Sequence, residues 1–331
     1  WYAARSGDMS KIDIPAFVVA NFGGLGLHLR GTIEGWRWIS SKDKWLKIQR
    51  GSYFVSFFMP ENVALQRKFF DRYLKGIDNG WEQEPRVTVE VRSTDDGIAR
   101  TVSATQYPLE QTRVEKLYLD VASKTLSGVR TPQSASASYA AMSAGVTFST
   151  APLAHDLVFA GPLKAHLYMA SSLPDMDLFV TVRAYGPDGK EATFFASDEP
   201  AFPVSMGWLR GTHRKLDAGR SSDWIPYHTH DEKQPLKPGE IVQLDIELWP
   251  TSIVVPARHR IAITVRGRDY EYAKSTGARL SNFKNELLGC GPFLHNEPRD
   301  RPPALFGGTT TLHFGPEHPA FVLLPVVPPK P

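Results

Sequence analysis

Residues 69–81 read FFDRYLKGIDNGW, and the character of the sequence changes at this stretch. Upstream of it, apolar positions spaced by three and four residues alternate with short apolar runs, which is typical of helices and strands in turn. Downstream, alternating runs such as RVTVEVRS and HRIAITVRG are separated by Pro, Gly, Asn and Asp. The sequence therefore predicts an α/β part over residues 1–80 and an all-β part over residues 81–331.

The α/β part is predicted to run strand, helix, strand, helix through KIDIPAFVVA, RGTIEGWRWISS, KWLKIQR and ENVALQRKFFDRYLKG. This alternation is the arrangement of a parallel sheet that is covered by helices. Gly76 directly follows the last helical pattern, at the position where a glycine commonly ends a helix. The many short strands of the second part predict an antiparallel β-sandwich or jelly roll.

Composition excludes several classes of protein. The 38 basic and 35 acidic residues give a net charge of only +3 and are scattered along the chain, so nucleic-acid binding is not expected. No apolar stretch approaches the ~20 residues that a membrane-spanning helix needs, so no membrane association is expected. The single cysteine, Cys290, cannot form an internal disulfide and favours a cytoplasmic location. Since the chain begins at Trp1, its natural start is expected to lie upstream.

Several motifs in order resemble one enzyme family. FFDRYLKGIDNGW is followed by P-x-V-x-V-x-V-R, and GVTFSTAPL, SSLPDMDLFVTVRAYGPDGKE and RPPALFGGTTTLHFG come later in the chain. Together they resemble the CocE/NonD-type X-Pro dipeptidyl-peptidase and cocaine-esterase family of serine hydrolases. The resemblance implies the C-terminal part of an α/β-hydrolase domain, followed by a β-sandwich jelly-roll domain of the galactose-binding-like kind.

The resemblance also implies a Ser-Asp-His triad, with the serine on a Gly-x-Ser-x-Gly turn. This sequence has no such turn, so the nucleophile is expected upstream, in the same molecule or in a second chain. In the family the acid follows the strand that matches IPAFVVA, and the histidine follows the next strand. Gly24 and Gln49 occupy those positions here. Glycine has no side chain that could orient an imidazole, and glutamine cannot take up a proton at accessible pH, so triad chemistry is expected to be incomplete.

Five residues near these positions are predicted to line a substrate pocket: Asn21, Phe22, His28, Tyr53 and Phe54. The first two belong to the turn after the first strand, and the last two follow Gln49 beyond the second strand. We interpret His28 as a residue at the start of a helix rather than as a relocated base.

Two other clusters of polar residues have structural interpretations that outweigh functional ones. YHTHDE contains His228 and His230, a pair that could bind zinc with a further ligand, but we interpret the segment as part of the jelly roll. Asp175 and Asp177 precede an apolar strand and are predicted to accept backbone hydrogen bonds in a turn. No metal ion and no cofactor is predicted.

Three functions stay open at this point. The first is hydrolysis of an ester or amide bond in a small-molecule or peptide-like substrate, as the resemblance implies. The second is a hydrolase fold adapted to non-hydrolytic chemistry, such as cyclisation, elimination or rearrangement of an apolar molecule. The third is non-catalytic binding or assembly, because a fold alone does not determine activity. Homo-oligomer formation and catalytic activity itself are left undecided.

Overall fold

The computed structural model describes residues 5–24, 26–197, 199–272, 288–289 and 294–328. Cys290 lies outside these residues. Within them, no helix combines the length and the apolar character that crossing a membrane requires.

The α/β part is built on three parallel strands, followed by an antiparallel one. Their order in the sheet follows the chain: β1 (Ala16–Asn21), β2 (Lys44–Gln49), β3 (Val87–Arg92) and β4 (Ile98–Ala104). β1 and β2 pair in parallel register, so that Asn21 lies opposite Gln49 at their carboxyl ends. Among the described residues, only β2 pairs with β1.

Three helices accompany these strands: α1 (Leu29–Trp38), α2 (Tyr53–Ser56) and α3 (Pro60–Lys75). α1 buries Leu29, Ile33 and Trp36, whose spacing of four and three places them on one face. α3 begins with Pro60, which is favoured in the first turn. It ends at Gly76, whose φ of 68° lies in the left-handed region, as the sequence predicts.

The sequence assigns RVTVEVRS to the all-β part, and in the structure this segment lies at the junction of the two parts. β3 is formed by this segment and pairs in parallel with β2, whereas it meets the sandwich through one residue pair, Arg92 with Ile253. An alternating pattern identifies a strand but not the sheet that it joins, because any half-buried strand shows the same period. The first sheet therefore continues beyond residue 80, and the domain boundary at that position stays a prediction.

Eleven strands follow β4 in the described part of the chain: β5 (Arg113–Asp120), β6 (Thr125–Ser127), β7 (Ala135–Ala140), β8 (Val146–Ser149), β9 (Leu157–Ser171), β10 (Asp177–Tyr185), β11 (Ser205–Arg210), β12 (Val242–Val255), β13 (Arg260–Arg266), β14 (Thr309–Phe314) and β15 (Phe321–Val326). A short helix, α4 (Pro303–Phe306), precedes β14. One layer is centred on β9, which pairs with β12 on one edge and with β14 and β15 on the other. The other layer contains β11, β10, β13 and β8. The inward side chains of both layers form one buried hydrophobic cluster, as in a β-sandwich.

Arg92 joins the two parts of the molecule. Its side chain is buried, and it donates hydrogen bonds to the backbone oxygen of Ser252 (3.1 Å) and to Oγ1 of Thr251 (2.6 Å). The guanidinium also lies over the rings of Phe22 and Phe194, at 4.8 and 3.9 Å from their centroids. The turn after β1 and the sandwich are therefore packed against the same arginine.

Candidate functional site

The carboxyl ends of β1 and β2 form an edge where functional residues collect in parallel sheets. The structure brings the two predicted triad positions to this edge. Gly24 ends the short 3-10 turn that follows β1, and Gln49 is the last residue of β2. Asn21 and Gln49 are paired across the two strands and are both buried.

Glycine at position 24 is not required by packing. A Cβ atom at Gly24 would lie 3.6 Å from Cβ of His28 and 3.8 Å from Cδ1 of Tyr53, which are ordinary contact distances. Gly23 is different, because a Cβ there would lie 2.4 Å from the backbone oxygen of Gly51. That oxygen accepts the backbone N–H of Gly23 at 3.0 Å, which fixes the turn on the segment after β2. A larger side chain could therefore be accommodated at position 24 but not at position 23.

Gln49 is 1% exposed, yet neither Oε1 nor Nε2 has a hydrogen-bond partner among the described residues. The same is true of Nδ2 of the buried Asn21. Burying an amide group without a partner costs about 1–3 kcal/mol. This cost is typical of positions where stability is not the only requirement, and it marks the edge as a candidate site.

The predicted pocket residues divide into two groups. His28 and Tyr53 lie together beside Gly24, with ring centroids 5.2 Å apart and planes at 80°. Phe54 follows Tyr53 in α2 and is 61% exposed. Asn21 and Phe22 are buried in the sheet and its core instead.

A loop of the sandwich reaches the same edge, and sequence reasoning missed it. The backbone N–H of Ser197 donates to the backbone oxygen of Gly23 (2.8 Å), and its hydroxyl lies 3.1 Å from that of Ser52. Two residues further on is Glu199, a carboxylate that is 2% exposed and accepts the N–H of Ala201 at 3.2 Å. No periodic pattern or motif singles out this loop, because its role depends on contacts across more than 140 residues of sequence.

A cavity of about 610 Å³ lies elsewhere, between the start of α1 and the sandwich strands β10, β11 and β12. None of the five predicted pocket residues lines it. Its walls combine aromatic rings, arginine–carboxylate pairs and four imidazoles, including those of His228 and His230. The sequence does not predict this cavity, since its lining comes from segments between Arg30 and Arg301.

Imidazoles from two segments of the chain approach each other in this cavity. His230 and His213 approach with their Nδ1 atoms 3.1 Å apart. In the part of the chain that the structure describes, no group of three metal-binding side chains is present. Burial lowers the pKa of His228 to about 4, with a further contribution from His230. Burial also lowers the pKa of His230, with a further contribution from His213.

Asp177 has a role that differs from the predicted one. It does not act mainly as a turn residue: its carboxylate accepts hydrogen bonds from Nε of Arg210 and from Nε of Arg301, both at 2.8 Å. Two guanidinium groups can converge on one carboxylate because it has several lone pairs. Asp175 accepts the backbone N–H groups of Met176 and Thr212, as the turn prediction requires.

Residues 79–323 match the family model of the X-Pro dipeptidyl-peptidase C-terminal non-catalytic domain. The chain belongs to this family. Its predicted membership of the CocE/NonD-type X-Pro dipeptidyl-peptidase group is thereby confirmed, and so is the predicted fold class.

Relatives with names and solved structures agree with this family. A CocE/NonD family hydrolase from Staphylococcus aureus has a TM-score of 0.86 and 26% identity, over 98% of this chain and 57% of that one. A Mycobacterium bovis protein named "Putative serine esterase" is 33% identical over 44% of this chain and 21% of its own length. A Streptomyces avermitilis protein named "Putative Xaa-Pro dipeptidyl-peptidase" is 24% identical over 79% of this chain and 44% of its own length.

The chain thus spans less than 60% of the length of each of these three relatives. The family model covers the whole sandwich except the end of its last strand, and β3 and β4 in addition. The edge that carries Gly24 and Gln49 lies before the matched residues. The roles of these two residues stay predictions.

Proposed function

We propose that the protein is a CocE/NonD-type hydrolase-fold protein in which hydrolysis of esters or amides is very weak, because the acid and base positions of the triad are lost. The supporting observation is the edge at β1 and β2. Gln49 is the last residue of β2 and lies beside Asn21, and Gly24 ends the turn that follows β1. The position proposed for the triad acid therefore carries only a hydrogen atom, and the position proposed for the base carries an amide. Without a base, a serine hydroxyl is a poor nucleophile.

The expected loss of rate is large. Removal of a triad member lowers the rate of serine hydrolases by about 10⁴ to 10⁶-fold, and the residual activity comes from substrate binding and oxyanion stabilisation. We therefore expect the full-length protein to release p-nitrophenol from p-nitrophenyl acetate about 10⁴ to 10⁶-fold more slowly than a serine hydrolase with an intact triad. We also expect it to react slowly with a fluorophosphonate probe.

A gain-of-function variant tests the same proposal from the opposite direction. Gly24→Asp can be accommodated because a Cβ there makes only ordinary contacts, and it would be combined with Gln49→His. If the proposal holds, the double variant reacts faster with both reagents than either single variant does. Efficient ester hydrolysis by the unmodified protein, with rapid labelling, would contradict it.

We further propose that the parallel sheet is completed by strands from upstream sequence or from a second chain. In the described residues β1 has one neighbour, whereas parallel sheets are normally buried on both faces and rarely end on a bare apolar strand. The greater length of the relatives supports the same idea. The 331-residue chain alone should unfold without a single cooperative transition, and the complete protein should show one. A cooperatively unfolding monomer of the short chain would contradict this.

A binding function is the second candidate, and two observations favour it. The family model that matches residues 79–323 describes a non-catalytic domain. A cavity of about 610 Å³ lies between α1 and that domain, away from the triad positions. Ligand binding that is unaffected by Gly24→Asp and Gln49→His would support this function, and loss of binding in those variants would oppose it.

A further inference from the structure

The cavity between α1 and the sandwich has the dimensions of a small-molecule site. Its volume of about 610 Å³ falls within the range of about 300–1,000 Å³ that is usual for ligand pockets. It opens on the outer face of β10 and β11, where Phe179 and Trp208 line it, and it is also bordered by Leu178 and Leu209, whose side chains belong to the hydrophobic core. The site is thus separate from the interior of the sandwich.

Aromatic rings form one wall of the cavity. Trp208 meets Trp249 edge-on, with ring centroids 4.7 Å apart, and it lies 4.7 Å from the ring of His295. Although it is held by these neighbours, Trp208 keeps 38% of its surface exposed. A large ring that is fixed in place and exposed in a concave wall is a surface on which another ring can pack.

The charges that line the cavity neutralise each other. Three arginines are matched by three carboxylates. Nε of Arg30 lies 2.8 Å from both carboxylate oxygens of Glu247, and Asp177 is held by Arg210 and Arg301. A charged ligand would therefore meet no unmatched countercharge and would lose its hydration, which is unfavourable in a partly buried site.

Two hydrogen-bonding groups in the cavity are not used by these pairs. The hydrogen bonds of Arg30 to Glu247 involve only Nε, so its two terminal amino groups can donate to a ligand. Nε2 of His228 is buried without a partner among the described residues. Burial lowers the pKa of His228, so its ring is neutral near pH 7, and a neutral imidazole can accept one hydrogen bond.

We propose that this cavity binds an uncharged small molecule that packs a ring on Trp208, accepts hydrogen bonds from Arg30 and donates one to His228. Two kinds of compound carry these groups: neutral heteroaromatic amides and sugars. They share a flat face with donors and acceptors at its rim. This inference does not depend on the proposed loss of triad chemistry, because no triad position lines the cavity.

The test measures binding of four probes to the full-length protein by isothermal titration calorimetry. Indole-3-carboxamide and methyl β-D-glucopyranoside represent the two neutral sources, and indole-3-carboxylate and tryptamine are charged compounds of similar size. We expect one of the neutral probes to bind at least about tenfold more tightly than either charged probe, a difference of about 1.4 kcal/mol. The neutral probe that binds shows whether the natural ligand belongs to the heteroaromatic amides or to the sugars. Equal or tighter binding of a charged probe, or no binding of either neutral probe at about 10 mM, overturns the proposal.

Variants locate the binding to this cavity. Trp208→Ala removes the ring, and Arg30→Lys keeps a positive charge beside Glu247 but loses the terminal amino groups; each should weaken binding about tenfold. Phe70→Ala and Arg299→Lys change exposed residues outside the cavity and should leave the affinity unchanged. If Trp208→Ala does not fold, Trp208→Leu takes its place. Unchanged affinity in the Trp208 and Arg30 variants overturns the proposal.

Discussion

Two regions of the molecule differ in whether their buried polar groups have hydrogen-bond partners. On the outer face of β10 and β11, Asp177 is 9% exposed and its carboxylate is shared by two guanidinium groups. At the carboxyl ends of β1 and β2, the amide of Gln49 is more deeply buried and has no hydrogen-bond partner among the described residues. In the first arrangement the buried charges are compensated, whereas the second one leaves a buried amide without compensation, which costs stability. The comparison indicates that the edge of the α/β part is shaped by a requirement other than its own stability.

The largest effect on stability is expected when the carboxylate of Asp177 is removed. Asp177→Ala would leave the 5%-exposed side chain of Arg301 without its carboxylate, and breaking a buried ion pair costs about 3–5 kcal/mol. Urea denaturation of the variant measures this loss. Asp300→Ala is the control, because Asp300 is 64% exposed and lies 3.4 Å from Arg210, so its removal should cost less than about 1 kcal/mol. Similar losses of stability in the two variants would show that the buried Asp177 contributes no more than the exposed Asp300.

The turn after β1 gives a second contrast within one site. Gly23→Ala would place a Cβ atom 2.4 Å from the backbone oxygen of Gly51, and the resulting shift should destabilise the protein by about 1–3 kcal/mol. Gly24→Ala should change stability by less than about 0.5 kcal/mol, because the added atom meets only ordinary contacts. Both values come from the same denaturation experiment. A Gly24→Ala variant as unstable as Gly23→Ala would show that position 24 cannot accept an aspartate.

The pH dependence of stability tests the buried imidazole of the cavity. The pKa of His228 is lowered from 6.5 to about 4 by burial, by His230 and by Arg30, against an opposing effect of Asp245. The unfolded chain therefore binds a proton at this residue below pH 6.5, and the folded protein does not until about pH 4. Stability should fall as the pH decreases between these values, by about 1–2 kcal/mol for a partly solvated ring.

Thermal unfolding at pH 7 and at pH 5 measures this dependence. In His228→Gln, which has no group that titrates in this range, the difference in stability between the two pH values should be smaller than in the unmodified protein. An equal difference in both proteins would assign the pH dependence to other residues.

The smallest effect on stability is expected at Gln49, and it is an increase rather than a decrease. Gln49→Met keeps the volume of the side chain but removes the buried amide, so stability should rise by about 1 kcal/mol. Gln66→Met is the matched control, because Nε2 of Gln66 donates to the backbone oxygen of Phe57 at 2.9 Å, and its loss should lower stability. A decrease in the Gln49 variant would mean that the amide contributes to the fold.

Local patterns in the sequence predict much of this fold. The helices over residues 29–38 and 60–75 follow from apolar spacing and, for the end of the second, from Gly76. The parallel register of β1 and β2 places Gly24 and Gln49 at one edge, as expected from strand order. The sheet that β3 joins could not be predicted, because an alternating strand has the same pattern in either sheet.

The remaining features depend on contacts between distant residues. Asp177 meets Arg301 across 124 positions of sequence, and the loop with Ser197 meets Ser52 across 145. Spacing along a chain carries no information about such contacts when the residues belong to different elements. The cavity was missed for the same reason, although the sequence analysis singled out three of its lining residues, Asp177, His228 and His230, for other roles.

Trp249 is shared by the cavity and by Gly26, in the segment that leads into α1. A Cβ atom at Gly26 would lie 3.4 Å from the indole ring of Trp249, which also lines the cavity. A ligand that displaced this ring would therefore also change the packing of the segment that leads into α1, and thermodynamic linkage would make that coupling reciprocal.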